Sequence, residues 1–127
     1  MIEKIFLNYF IGIFIGFFLE VIYRSIRARK FIKPKFINLQ MYALTGSFLY
    51  LIYYQNISFF IKIPLIAIFT TLIEFIVGSL YLKFKNVYLW DYTDQPLNYR
   101  GIICLRFSFY WLIISLLYYY LILPLTI

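Results

Sequence analysis

The sequence has no histidine. The commonest general base and metal ligand is therefore missing, and neither a Ser–His nor a Cys–His nucleophile can be built. A single cysteine, Cys104, rules out an internal disulfide. Zinc sites draw on several Cys, His or carboxylate ligands, whereas this chain offers one thiol and five scattered acids, Glu3, Glu20, Glu74, Asp91 and Asp94. No Gly-x-x-x-x-Gly-Lys-Ser/Thr run is present, so the chain has no phosphate loop for hydrolysing ATP. The sequence predicts no catalytic residue, no metal site and no cofactor. Charge is scarce as well. Only 13% of the 127 residues are charged and 65% are hydrophobic, against roughly 25% charged in an ordinary soluble domain. A soluble domain of this size buries only about two-thirds of its unfolded surface and cannot hide so much apolar side chain. Disorder requires the opposite composition. Lipid is the solvent that remains.

Four apolar stretches stand out, at about 5–23, 38–54, 63–82 and 102–123. Each approaches the ~20 residues that a helix needs to cross a bilayer. Strands of a membrane barrel would be ~10 residues long with strict alternation, which these runs lack. Pro64 stands where a helix would begin and Pro124 where one would end. The expectation is an all-α membrane protein, a bundle of four transmembrane helices in one integral domain, 1–127. No small-residue cleavage site follows the first stretch, so the first helix is expected to be retained. One glutamate in helix 1 and another in helix 3 give the two halves a weak similarity.

Basic residues set the orientation. Arg24, Arg27, Arg29, Lys30, Lys33 and Lys35 follow the first stretch, and Lys83, Lys85, Arg100 and Arg106 follow the third. Only Lys4 and Lys62 fall on the other side. The positive-inside rule then puts both long loops in the cytoplasm and both termini outside. Ten against two also argues against dual topology. Loop 24–37 is expected to touch anionic lipid headgroups, at ~1 kcal/mol per basic residue, and no nucleic acid.

Polar residues inside the apolar runs are the candidate functional positions. Gly12 and Gly16 form a small-xxx-small pattern on the stripe Asn8, Gly12, Gly16, Glu20, Arg24, and with Gly46 and Gly78 they are expected to let helices approach closely. A carboxylate within the bilayer costs several kcal/mol. Glu20 precedes Arg24 by four residues, the favourable order for a helical ion pair; Arg106 is an alternative partner, and Tyr23 lies beside them. Glu74 precedes Lys83 by nine residues, ~13 Å along a helix, near mid-membrane. Thr70, Thr71, Gly78 and Tyr81 give helix 3 a polar seam around it. Glu74 is expected to be neutral or to face a polar cavity, in a ligand- or proton-linked role.

The loop Trp90-Asp91-Tyr92-Thr93-Asp94-Gln95-Pro96-Leu97-Asn98-Tyr99-Arg100-Gly101 combines aromatic, acidic and turn residues. It is expected to be an ordered cytoplasmic cap built on Trp90, Asp91, Tyr92, Asp94, Pro96, Asn98, Gly101 and Arg106. Trp90 and Tyr92 suit the headgroup layer. Asp91 or Asp94 is expected to pair with Arg24, Arg27, Arg100 or Arg106.

The run from Trp90-Asp91-Tyr92-Thr93-Asp94 through Pro96, Asn98, Gly101, Ile103-Cys104-Leu105 and Ser108 to Trp111 resembles the signature of the ABC-transporter type IV family, CmpB-like small bacterial membrane proteins. Glu20-x-x-Tyr23-Arg24 and Glu74-x-x-x-Gly78 resemble that family's first and third helices. Where the family usually has a Gly/Pro-rich segment, this chain reads Asn38-Leu39-Gln40-Met41-Tyr42-Ala43-Leu44-Thr45-Gly46. The resemblance implies a permease-like transport component, working as an oligomer or with a separate ATPase subunit. The alternative is a non-transporting membrane interaction protein whose polar residues only hold its helices together.

Overall fold

The computed structural model describes residues 1–126. The chain is helical throughout, apart from one short hairpin. Helix α1 spans Ile2–Ala28, α2 Phe36–Tyr53, α3 Phe59–Lys85 and α4 Leu105–Leu117. Strands β1 (Asn98–Tyr99) and β2 (Ile103–Cys104) pair antiparallel between α3 and α4, with Asn98 opposite Cys104 and Tyr99 opposite Ile103. After α4 the chain widens into a π turn, Tyr118–Ile122, and tightens into a 3₁₀ turn, Leu123–Thr126. Helix α1, helix α3 and the segment Leu105–Thr126 are long and apolar enough to cross a membrane. Helix α2 is shorter and carries Asn38, Gln40, Thr45 and Ser47, so it falls short of that standard.

Two compact units divide the chain: Met1–Gln55 together with the residues from Tyr118 onward, and Asn56–Leu117. In the first unit, α1 lies along α2. Its buried residues are Asn8, Gly12 and Gly16, one per turn, while Phe6, Phe10, Phe14 and Phe18 stay exposed on another face. A helix apolar all round is what lipid requires. The contact is made backbone to backbone. A Cβ on Gly12 would sit 2.5 Å from the Tyr42 carbonyl oxygen and 2.9 Å from Ala43 Cα, and one on Gly46 would sit 2.5 Å from the Asn8 carbonyl. Gly16 lies against the Tyr42 ring. Polar ties reinforce the seam. Ser47 Oγ donates to the Ile5 carbonyl at 2.9 Å, Tyr9 donates to Gln40 Oε1, and Tyr118 OH donates to Asn8 Oδ1 at 2.6 Å.

In the second unit, the buried face of α3 reads Lys62, Ile66, Thr70, Glu74, Gly78 at four-residue intervals. Its N-terminus lies earlier than Pro64 suggests. Ser58 caps the helix, its Oγ accepting from Phe60 N at 3.2 Å, so Pro64 falls inside the helix, where it removes one i→i−4 bond. Helix 4 begins later than expected, at Leu105, because residues 103–104 are taken up by the hairpin. Pro124 lies in the final 3₁₀ turn; its missing N–H interrupts the helical ladder there.

These contacts predict that Gly12→Ala lowers the stability of the detergent-purified protein by about 1–3 kcal/mol, the usual cost of overpacking. Phe14→Leu on the exposed face should change it by less than about 0.5 kcal/mol. Thermal unfolding followed by circular dichroism checks both.

Candidate functional site: two carboxylates inside apolar helices

Each unit contains one carboxylate well inside an apolar helix, and the two are stabilised differently. In the first unit, Arg24 Nε donates to Glu20 Oε2 at 2.6 Å and Tyr42 OH donates to Oε1 at 2.9 Å. Arg24 and Glu20 are 26% and 16% exposed, and theirs is the one ion pair among the described residues. Opposite charges one turn apart on a single helix satisfy each other before any tertiary contact forms. Tyr23 turns elsewhere, with the Arg27 guanidinium 5.8 Å from its ring centroid.

Glu74 has no basic neighbour one turn away in the sequence. It is 2% exposed, and its Oε2 accepts from Trp111 Nε1 at 2.8 Å and from Tyr92 OH at 3.1 Å. Both donors are neutral. One comes from α4 and the other from the loop, so three separate segments converge on this carboxylate. The polar seam around it is divided. Thr70 bonds back to the Ala67 carbonyl at 3.2 Å, Thr71 Oγ1 donates to Ser108 Oγ at 3.2 Å, and Gly78 makes room for Trp90 and Ile102, whose side chains a Cβ there would meet at 3.0 and 2.6 Å.

The loop that delivers Tyr92 closes on its own backbone. Trp90 Nε1 donates to the Ile102 carbonyl at 2.6 Å, and Tyr92 N donates to the Gly101 carbonyl at 2.9 Å. Asn98 Nδ2 donates to the Gln95 carbonyl at 2.8 Å, while its Oδ1 accepts from Gly101 N at 3.0 Å. Gly101 has φ +69°, and a Cβ there would lie 2.6 Å from Thr93 Cγ2, so the position requires glycine. Leu97, just after Pro96, and Arg100 are also left-handed, each at φ 55°. The Tyr92 ring stacks on Phe107, 4.7 Å between centroids.

Two expectations about this loop are corrected. Neither Asp91 nor Asp94 forms an ion pair with an arginine among the described residues. Asp91 Oδ1 instead accepts from Thr93 N at 2.9 Å, the local turn that a short carboxylate makes two residues along. The hydrogen bonds from the Thr93 backbone and side chain hold the Asp91 carboxyl below its ordinary value. Asp94 is exposed, and Arg106 Nη1 donates to Gln95 Oε1 at 3.3 Å. The Trp90 and Tyr92 rings, expected to point toward lipid or the helix ends, pack on the buried face of α3: Trp90 lies over Gly78 and Tyr92 reaches Glu74. Tyr42, Trp111 and Tyr118 were not singled out for the contacts they make. Trp111 lies 37 residues from Glu74 and Tyr118 lies 110 from Asn8, separations that no helical or strand period connects.

Apolar helices of spanning length, with carboxylates enclosed among them, define a small helical membrane protein. The chain belongs to the family described as "Putative ABC-transporter type IV", whose family model matches residues 7–127. No curated protein and no solved structure matches it. The matched region includes both glutamates, the loop and Trp111.

Trp111→Phe removes one donor from a buried carboxylate and should cost about 1–3 kcal/mol. In a Glu74→Leu background the same change should cost markedly less, because donor and acceptor are coupled. Unfolding midpoints of the four proteins in detergent check this double-mutant cycle.

Proposed function

We propose that the protein is a permease-like transport component of the bacterial cytoplasmic membrane, working as an oligomer or with a separate ATPase subunit. Glu74 carries this reading. A carboxylate enclosed in an apolar helix costs several kcal/mol, and packing alone could be achieved with a far less costly residue. Its Oε2 accepts from Tyr92 OH and Trp111 Nε1, so an ionisable group stands where α3, α4 and the loop meet, an arrangement suited to a group that exchanges a proton or meets a solute. Asn38 Oδ1 and Ser115 Oγ are buried without a hydrogen-bond partner among the described residues, which supports a role for added polar groups or water inside the apolar region. Family membership supports a transporter-related protein. With no phosphate loop in the chain, energy would come from an ion gradient or a partner. Glu20 and Arg24, joined by Tyr42, form the second polar position in this scheme.

In the same proposal all four helices cross the bilayer, termini outside, with the loop after α3 as a cytoplasmic cap and loop 24–37 against anionic headgroups. The ten-to-two basic asymmetry supports that orientation. Cysteines replacing Lys4 and Leu125 should react with an impermeant maleimide added to intact cells, against the low background of the buried Cys104. Labelling only after permeabilisation would overturn the orientation.

The transport reading is tested with Glu74→Gln, which keeps the side chain's size and most of its hydrogen bonding. Proteoliposomes holding a pH-sensitive dye are challenged with amino acids, sugars and inorganic ions in turn. The expected result is a solute-dependent proton signal in the wild type that Glu74→Gln loses while keeping its melting temperature and assembly size. A variant equal to the wild type in all three measurements would leave Glu74 a purely structural residue.

A further inference from the structure

The last turns of α3 and the loop that follows line an open cavity of about 560 Å³ on the surface of the second unit. Its size falls within the ~300–1,000 Å³ of small-ligand sites. Lys83 and Arg100 line it, with Ser79, Tyr88, Thr93 and Asn98, and no acidic side chain does. The wall therefore carries two positive charges among hydroxyl and amide groups, with Leu82 and Ile102 supplying apolar surface and the Asp91 carboxylate at its edge, beside Gly101 and Thr93. Neither cation forms an ion pair among the described residues. Each rests near an aromatic ring instead, Arg100 5.2 Å from the Tyr99 centroid and Lys83 Nζ 5.8 Å from that of Phe84. Contacts of that kind are worth only about 0.5–1 kcal/mol at an exposed site and leave both side chains able to turn toward a stronger anionic partner.

The depth of the cavity narrows the choice of anion. After Lys62 near its start, helix α3 carries no basic residue until its last turn, at Lys83 and Lys85. The cavity thus opens where the helix leaves the hydrocarbon, at the level of the lipid phosphates. Guanidinium groups bind phosphate oxygens through paired hydrogen bonds, and ammonium groups add a point charge.

We propose that this cavity binds a phosphate-bearing anion, carried by an anionic lipid headgroup or by a free phosphate compound. The site is distinct from loop 24–37 and does not depend on the transport reading. Its wall also leads to the buried carboxylate. The carbonyls of Gly101 and Ile102, both lining the cavity, accept from Tyr92 N and Trp90 Nε1, and Tyr92 OH donates to Glu74. An anion seated on Arg100 bears on the same loop that supplies a donor to Glu74.

Calorimetric titration of the full-length protein in detergent with dihexanoyl phosphatidylglycerol, and separately with inorganic phosphate, tests the proposal. Saturable binding of one lipid per chain is expected. Lys83→Gln should weaken it about tenfold, as loss of one charged donor does, and Lys83→Gln with Arg100→Asn should abolish it. Asparagine is chosen because it tolerates the left-handed backbone at position 100. Lys4→Gln, in the first turn of α1 and outside both basic loops, should leave the affinity unchanged. Displacement of the lipid by inorganic phosphate identifies the phosphate group alone as sufficient, and lipid binding without displacement identifies the headgroup with its glycerol; both support the site. Saturable binding of neither probe overturns it. So does unchanged affinity in Lys83→Gln, an exposed position whose substitution leaves the fold intact, with circular dichroism confirming the helix content.

Discussion

A carboxylate within a lipid-facing helix has no water to solvate it, so the rest of the chain must do so. That requirement organises the second unit. Glu74 occupies the buried face of α3, and its two hydrogen-bond donors come from segments that are remote in sequence, Tyr92 in the loop and Trp111 in α4. Tyr92 can reach it only if the loop folds back, and the loop folds back through Asn98, Gly101 and the two-residue strands. Gly78 is the corresponding clearance on α3, where a side chain would displace Trp90 and Ile102. A hairpin of four paired residues is marginal on its own. Here it is held by the aromatic groups it delivers.

The first unit meets the same requirement by local means. Glu20 and Arg24 lie one turn apart on α1, and Tyr42 completes the coordination from α2. If the two glutamates are aligned, the buried positions Asn8, Gly12 and Gly16 of α1 fall on Lys62, Ile66 and Thr70 of α3. The shared four-residue spacing gives each helix one narrow inward stripe, but the residues on it differ. Glycines on α1 permit a close backbone approach by α2. Bulkier residues on α3 accompany a longer connection, with loop and hairpin intervening before α4.

Much of this could be read in the sequence, for identifiable reasons. Helices of this length announce themselves by long apolar runs, and Glu20 with Arg24 announces a pair by spacing alone. Gly12 and Gly16 were legible as contact positions because their function is to lack a side chain. The loop was legible as ordered from its turn residues, yet its contacts were misread. Charge counting directed Asp91 toward arginine, whereas a short carboxylate finds the amide two residues ahead before it finds a distant cation. Interfacial preference directed Trp90 and Tyr92 toward lipid or the helix ends, but the Ile102 carbonyl and the buried Glu74 carboxylate draw them onto α3. The start of α3 was misplaced because proline was given more weight than the serine cap six residues earlier. Contacts such as Trp111 with Glu74 depend on chain reversal, which a linear pattern does not encode.

Both tryptophans of the chain, Trp90 and Trp111, belong to the second unit, and both spend their indole N–H on an internal acceptor. The first unit contains none. Ultraviolet emission excited at the red edge therefore comes from one half of the molecule, and from the two rings tied to the hairpin and to Glu74. The protein carries a built-in optical probe of this region, whereas its tyrosines are spread over both units. Local opening of the loop thus has a spectroscopic signature of its own without any label being added.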